Sequence, residues 1–433
     1  MSLPTAPPLA LYVHIPWCVR KCPYCDFNSH TAPQGLPQRE YVAALLADLD
    51  MDRREYAPAL AGREIVSVFF GGGTPSLFAP DAIAAILDGA AQRLPFAHDA
   101  EITLETNPGT VEHGRFDGYR RAGVNRLSFG VQSFDDGALR RLGRIHGAAE
   151  AEAAVKSAQD AGLDNLNLDL MYALPEQTLA GALADVERAL ALAPTHLSHY
   201  QLTLEPNTAF AAAPPPLPDD DDAWDMQEAC QARLAAAGYA QYETSAYAQP
   251  GRQCRHNRVY WGFGDYLGIG AGAHGKITQL GQPSGERAYP RTAVGAHTTP
   301  ADASSTAAIE ASQPMAIRRR WKIRAPNAYL AHAGTGRAVG GDDDVPAAQR
   351  PFEFMLNALR LREGFDLAQF EARTGLPRAV LARPLAQASE RGWLDDRDGR
   401  IAPTELGQRF LNDVIALFLP DTPRAPRQAA ADA

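Results

Sequence analysis

Between residues 9 and 206 the sequence alternates two kinds of segment, and this alternation narrows the fold more than any other feature. Six short apolar runs are LALYVHI (9–15), IVSVFF (65–70), EITLET (101–106), RLSFGV (126–131), NLNLDLMYAL (165–174) and HLSHYQLTLE (196–205). They have the length and hydrophobicity of strands buried on both faces. Between them stand stretches of helical periodicity: REYVAALLADLDMDRREY, PDAIAAILDGAAQRL, RFDGYRRAG, AAEAEAAVKSAQDAG and AGALADVERALAL. Parallel strands need a crossover long enough for a helix, so the alternation predicts a parallel sheet of βα units. Six units predict an α/β fold with an incomplete (β/α)6 barrel rather than a closed ring of eight. Reacting groups then belong at the C-terminal ends of the strands and in the loops that follow.

The rest of the chain reads in blocks. AAAPPPLPDDDD (211–222) places prolines and then aspartates before a helix at 223–237, and the barrel domain closes at residue 238. Residues 239–292 read as short strands and glycine turns that extend the sheet. Residues 293–346 read as a linker. It contains the basic run IRRRWKIR (317–324), taken as a solvated face. Residues 347–420 follow a helix, helix, helix, turn, strand order that predicts a winged-helix-like domain, and 421–433 reads as a disordered tail. The net charge of −10 argues against a nucleic-acid partner. No run of 18 apolar residues predicts a spanning helix, and the first residues lack a signal-peptide core, so the expected location is the cytoplasm. Five cysteines, three of them clustered, point to metal rather than to disulfides.

The cluster is CVRKCPYCDFNSH (18–30), directly after the first strand, with Cys18, Cys22 and Cys25 at C-x3-C-x2-C spacing. A cubane [4Fe–4S] cluster has four irons, each with a terminal ligand that is usually thiolate. Three cysteines leave one iron open, and an open metal position serves chemistry rather than structure. The other reading is a zinc site completed by Asp26 or His30. Zinc sites usually pair two C-x2-C-like halves, and Cys230 and Cys254 stand isolated.

This loop, with Tyr24 inside it and GGGTP (71–75) after the second strand, resembles the radical S-adenosylmethionine (SAM) superfamily. There the open iron chelates SAM, and an electron from the cluster splits the sulfonium bond. YVHIPWC, FFGGGTPS, LETNPGT, RLSFGVQSF, LGRIHG and NLDLMYALPEQT resemble, in order, the family of oxygen-independent coproporphyrinogen III oxidases and related heme chaperones. The resemblance runs from residue 11 to about 290. It implies that Tyr12 and Tyr24 contact SAM and that Gly72, Gly73 and Thr74 face its methionyl group. Glycines let backbone approach, and backbone groups satisfy an ammonium and a carboxylate. It further implies SAM contacts for Glu105, Gln132, Arg144 and Asp169, carboxylates accepting from hydroxyls or the amino group and arginine pairing with the carboxylate. The glycine-rich GIGAGAHG (268–275) is expected to line the same cavity.

Two features separate the branches of that family. The oxidases carry a further cysteine two residues after the third, where this chain has Phe27, and a long extension before the cluster strand. CRHNRVYW (254–261) instead resembles the HNxxYW motif of the chaperone branch, which is associated with heme binding. The resemblance implies a heme site of His256, Asn257, Tyr260 and Trp261, with imidazole as axial ligand and the aromatic rings against the porphyrin. Cys254 and His274 are rival ligands. The expected cofactors are a [4Fe–4S] cluster, SAM and heme. The expected partners are a reductant and acceptor hemoproteins, membrane-bound respiratory ones among them, which would bring the chain to a membrane surface. The alternatives are oxidative decarboxylation of coproporphyrinogen III and radical chemistry on another tetrapyrrole.

Overall fold

The computed structural model describes residues 6–109, 115–281 and 314–420. They divide into two compact units, one of residues 7–109, 115–277 and 319–342, the other of residues 6, 278–281, 314–318 and 343–420.

The large unit is organised by a sheet. Its parallel strands are β1 (Leu9–Ile15), β2 (Ile65–Gly72), β3 (Phe96–Thr106), β4 (Arg126–Gln132), β5 (Leu166–Tyr172) and β6 (His196–Gln201), each hydrogen-bonded to the next. After β6 the chain forms β7 (Ala240–Glu243) and β8 (Ala246–Ala248), and β8 pairs antiparallel with β6. On the other side β9 (Asp265–Ile269) lies parallel to β1, followed by β10 (His274–Leu280), β11 (Met315–Lys322) and β12 (Val339–Asp344), of which residues 274–277, 319–322 and 339–342 belong to this unit. Among the described residues the strand order β12-β11-β10-β9-β1-β2-β3-β4-β5-β6-β8-β7 does not close on itself, so the barrel is incomplete as expected.

Period two sorts each strand into two sets. Leu11, Val13, Val68, Phe70, Leu104, Leu127, Phe129, Leu168 and Leu170 are buried in the main hydrophobic core. The other set is polar and in register: Glu105 pairs with Ser128, Ser128 with Asn167, Asn167 with His196, and Gly130 with Asp169. Helices α1 (Gln38–Glu55), α2 (Pro80–Ala91), α3 (Phe116–Arg121), α4 (Ala148–Asp160) and α5 (Leu179–Ala191) match the periodic stretches. The Pro-then-Asp punctuation resolves as α6 (Asp220–Ala236), where Asp219 caps the Asp222 amide at 2.8 Å and Asp220, Asp221 and Asp222 face the positive end of the helix dipole.

Two sequence readings are corrected. Residues 239–292 are not all strand and turn, because HNRVYW lies in the helix α7 (Arg255–Trp261). IRRRWKIR is not a solvated face but most of β11 and the residues just after it. Arg320 and Lys322 turn inward to acidic residues of α1, with Arg320 3.0 Å and Lys322 2.9 Å from Asp52, and Lys322 also paired with Asp48. Buried cations of this kind require such partners. The linker reading therefore does not describe 314–346, where α8 (Pro326–His332) follows β11. The linker's residues 293–313 and the tail lie outside the described residues.

In the smaller unit α9 (Arg350–Ala358), α10 (Leu367–Thr374) and α11 (Ala382–Glu390) precede a hairpin of β13 (Leu394–Arg397) and β14 (Arg400–Pro403). Phe354 anchors it, edge-on to Phe365 at 5.1 Å and Phe370 at 5.3 Å. Three helices and a hairpin fit the winged-helix-like expectation.

Candidate functional site

The cysteine loop is pinched off the end of β1. Trp17–Cys18 pairs in parallel with His30–Thr31, and the Thr74 amide donates to the Trp17 carbonyl at 2.7 Å. Within the loop the Cys25 amide donates to Cys22 at 3.2 Å and that of Ser29 to Phe27 at 2.7 Å. Cys18, Cys22 and Cys25 are partly exposed and free. Burial holds the Cys18 and Cys25 thiols above their ordinary range, so ligation would release protons. Among the described residues, no three His, Cys, Asp or Glu side chains converge on one ion position. Tetrahedral zinc needs such convergence, whereas a cubane takes one thiolate at each of three separate irons. His30 is turned to Asn28 Oδ1, 3.3 Å away.

The thiols open on a cavity of about 390 Å³ at the C-terminal ends of β2–β6. Tyr24, Gly72, Gly73, Thr74, Glu105, Gln132, Arg144 and Asp169 all line it. Gly72 has φ +116°, and a Cβ there would fall 2.6 Å from the His14 ring. One on Gly73 would fall 2.5 Å from the Trp17 carbonyl oxygen. Only glycine lets the strand end pass this close. The exposed backbone then meets charge: the Gly72 amide donates to Glu105 at 3.2 Å. Burial, reinforced by Asp169, pushes the Glu105 carboxyl up to about 8. Asp169 is also raised by burial, against hydrogen bonds from Asn167 at 2.8 Å and Ser128 at 3.3 Å. Gln132 sits at φ +72° and accepts from Tyr200 at 2.9 Å. A non-glycine residue held there marks a position fixed by its surroundings. Arg144 donates to the Gly130 carbonyl and lies 3.6 Å from Cys22 Sγ. Burial opposes its charge, but Tyr24 and Cys22 outweigh burial and raise the guanidinium. Two carboxylates, one guanidinium and bare backbone can receive a zwitterion and a sugar together.

Tyr12 does not line this cavity. It faces a second one of about 690 Å³ that shares Asp26, Phe27, Gly72 and Glu105 with the first. GIGAGAHG also departs from expectation, because Gly272 and His274 line the second cavity and not the first. Of the four HNRVYW candidates only Tyr260 lines either cavity. His256 is 2% exposed, with Nδ1 3.0 Å from Ser67 Oγ and its ring stacked on Phe69 at 5.0 Å. Burial drives its pKa down to about 3. Asn257 and Trp261 are half-buried. Cys254 Sγ donates to Glu101 at 3.5 Å, and burial pushes that thiol up to about 12, which keeps it from being thiolate at neutral pH.

Sequence reasoning missed Ser128, Asn167 and Tyr200, which hold the first cavity's carboxylate and amide. Period-two counting from Gly130, Asp169 and Ser198 would have found them. It also missed Asn28, Tyr266, Trp321 and Arg324 of the second cavity, which carry no local signal.

The chain is similar to known proteins along most of its length. The profile of the radical SAM superfamily matches residues 12–189, and that of the HemN C-terminal domain matches 345–410. The heme chaperone HemW of Escherichia coli is 49% identical over 95% of this chain and 98% of its own. The heme chaperone HemW of Mycobacterium tuberculosis is 32% identical over 95% of each chain. Among solved structures, the radical SAM enzyme coproporphyrinogen III oxidase (HemN) of Escherichia coli superimposes with a TM-score of 0.72 at 23% identity, over 95% of this chain and 90% of that one. At that identity the likeness is one of fold.

Proposed function

The chain belongs to the family of the heme chaperone HemW, within the radical SAM superfamily, and from that premise we propose that it carries heme to acceptor hemoproteins. It holds a [4Fe–4S] cluster on Cys18, Cys22 and Cys25 and binds SAM beside it. The observation that carries this reading is the convergence of those thiols with Gly72–Thr74, Glu105, Gln132, Arg144 and Asp169 on one cavity of about 390 Å³, next to an aromatic one.

When bound, cluster and SAM together supply reductive cleavage of a sulfonium bond. The chain's own residues bind and orient. Gly72 and Gly73 present backbone to the methionyl end. Glu105 and Asp169 accept from an ammonium and from ribose hydroxyls, Arg144 faces the carboxylate, and Tyr24 covers the ligand. A reductant and acceptor hemoproteins, membrane-bound respiratory ones among them, complete the partners, with the chain in the cytoplasm or at a membrane surface. No described helix is long and apolar enough to cross a membrane. Phe27, 59% exposed, stands where the oxidases carry a further cysteine, and this favours carriage over decarboxylation.

The test is an anaerobic heme titration of the reconstituted protein beside a coproporphyrinogen III turnover assay on the same sample. Saturable heme binding without vinyl product is expected. Turnover of coproporphyrinogen would make the chain an oxidase.

A further inference from the structure

The second cavity has the chemistry of a porphyrin site. Its volume of about 690 Å³ lies within the usual range of roughly 300–1,000 Å³ for sites that enclose a sizeable organic ligand. Its walls are aromatic: Tyr260 meets Tyr266 edge-on at 4.3 Å, and Trp321 and Phe27 complete them. All of them belong to the large unit.

Three histidines lie in or beside it, and their surroundings differ. His14 is held at both nitrogens, by Tyr12 OH at 3.0 Å and the Asn28 carbonyl at 2.9 Å. His256 is sealed behind the wall, between Phe69 and the edge of Tyr260 at 4.8 Å. For its Nε2 to reach an iron, a flat macrocycle would have to replace that packing. His274, at the start of β10, is exposed and lies against Trp321 at 6.2 Å with 21° between the rings. Neither of its nitrogens has a hydrogen-bond partner among the described residues. Partial burial and the nearby Arg319 and Arg324 lower its pKa, which leaves a neutral ring with a lone pair free for metal. Arg324 is exposed at the rim, and among the described residues its guanidinium is engaged through Nε alone, with Asn28 Oδ1 at 3.4 Å.

We infer that heme sits in this groove, with His274 as an axial ligand of the iron, Trp321, Tyr260 and Tyr266 against the macrocycle, and Arg324 on a propionate. The HNRVYW helix is then the back wall, which it supplies through Tyr260, and His256 is its internal brace. This placement rests on the heme-carrier reading and adds the site to it.

Full-length protein with its cluster reconstituted is titrated anaerobically with hemin, following optical and EPR spectra. His274→Ala is expected to lose about 10- to 100-fold in affinity together with the imidazole-ligated signature, since even indirect support of a metal ligand is worth that much. Free imidazole restores the signature, and His274→Cys replaces it with that of a thiolate-bound iron. Arg324→Gln weakens binding without changing the spectrum. Unchanged affinity and spectrum in His274→Ala would overturn the assignment. So would loss of the imidazole signature in His256→Ala with cluster content and cooperative melting intact. If the wild-type protein binds no hemin at all, the carrier reading itself falls, and that outcome is distinct from either of the others.

Discussion

The two adjoining cavities follow opposite plans. The one at the cysteines takes its walls from the ends of β2–β6 and is polar, and its central polar groups are held by neighbours: Glu105 by the Gly72 amide, Asp169 by Asn167, Gln132 by Tyr200, Arg144 by the Gly130 carbonyl. The other takes its walls from β1, the HNRVYW helix, β9 and β11 and is aromatic, with an exposed imidazole and a cation at its rim. Polar groups held in advance suit a small charged ligand. Rings around an open space suit a broad flat one. The difference teaches how a charged cofactor and an apolar cargo can lie side by side while sharing few side chains.

The sharpest way to separate the two is through the cluster. Cys25→Ala is expected to bring bound iron and cluster absorption down to background and to abolish SAM binding, as read by iron analysis and calorimetry. Heme titration of the same sample decides the comparison. If heme binding vanishes in a chain that still melts cooperatively, the cavities work as one site.

The next largest effect attacks the aromatic side from beneath. Lys322 is 1% exposed against Asp48 and Asp52, while its neighbour Trp321 walls the groove. Lys322→Met leaves buried Asp48 without its cation and Asp52 with Arg320 alone, which costs about 3–5 kcal/mol in a denaturant melt. Because β11 carries the damage, heme affinity should fall further than SAM affinity.

The polar side is tested through Glu105. With its carboxyl pushed up to about 8, the group is protonated below that pH. A cationic ligand that needs the carboxylate therefore binds more tightly as pH rises toward 8, by at most about tenfold per unit. Glu105→Gln flattens that slope in SAM titrations. A slope unchanged by the substitution would place the ammonium elsewhere.

These contrasts also explain what the sequence disclosed. β1–β6 read clearly because strands buried on both faces make continuous apolar runs, and Leu9–Ile15 matched its strand end to end. The first cavity followed from the family resemblance, whose implied residues line it apart from Tyr12. The aromatic cavity did not, because it joins Asn28 to Arg324 and Tyr260 to Trp321 across distant segments. IRRRWKIR misled for the same reason: Lys322 meets Asp52 across 270 residues, and on α1 that aspartate looks like any polar helix residue. Seven residues of mixed aromatic and charged character gave α7 too little periodicity to read as a helix.

The smallest predicted effect separates the two histidines of that comparison. Ser67 Oγ lies 3.0 Å from His256 Nδ1 inside the barrel, and His274 has no such support among the described residues. Ser67→Ala removes the contact without adding volume and leaves a buried ring nitrogen unpaired, at a cost of about 1–3 kcal/mol. If His256 only braces the helix, the loss appears in thermal or denaturant melts, and the heme spectrum stays as it was. If His256 ligates iron, Ser67 is the group that orients the ligand ring. Removing such a partner changes ligand basicity and ring angle, and typically costs metal affinity by about 10- to 100-fold. A spectral change in Ser67→Ala would therefore move the iron from the groove to the helix, whereas a stability loss alone keeps it on His274.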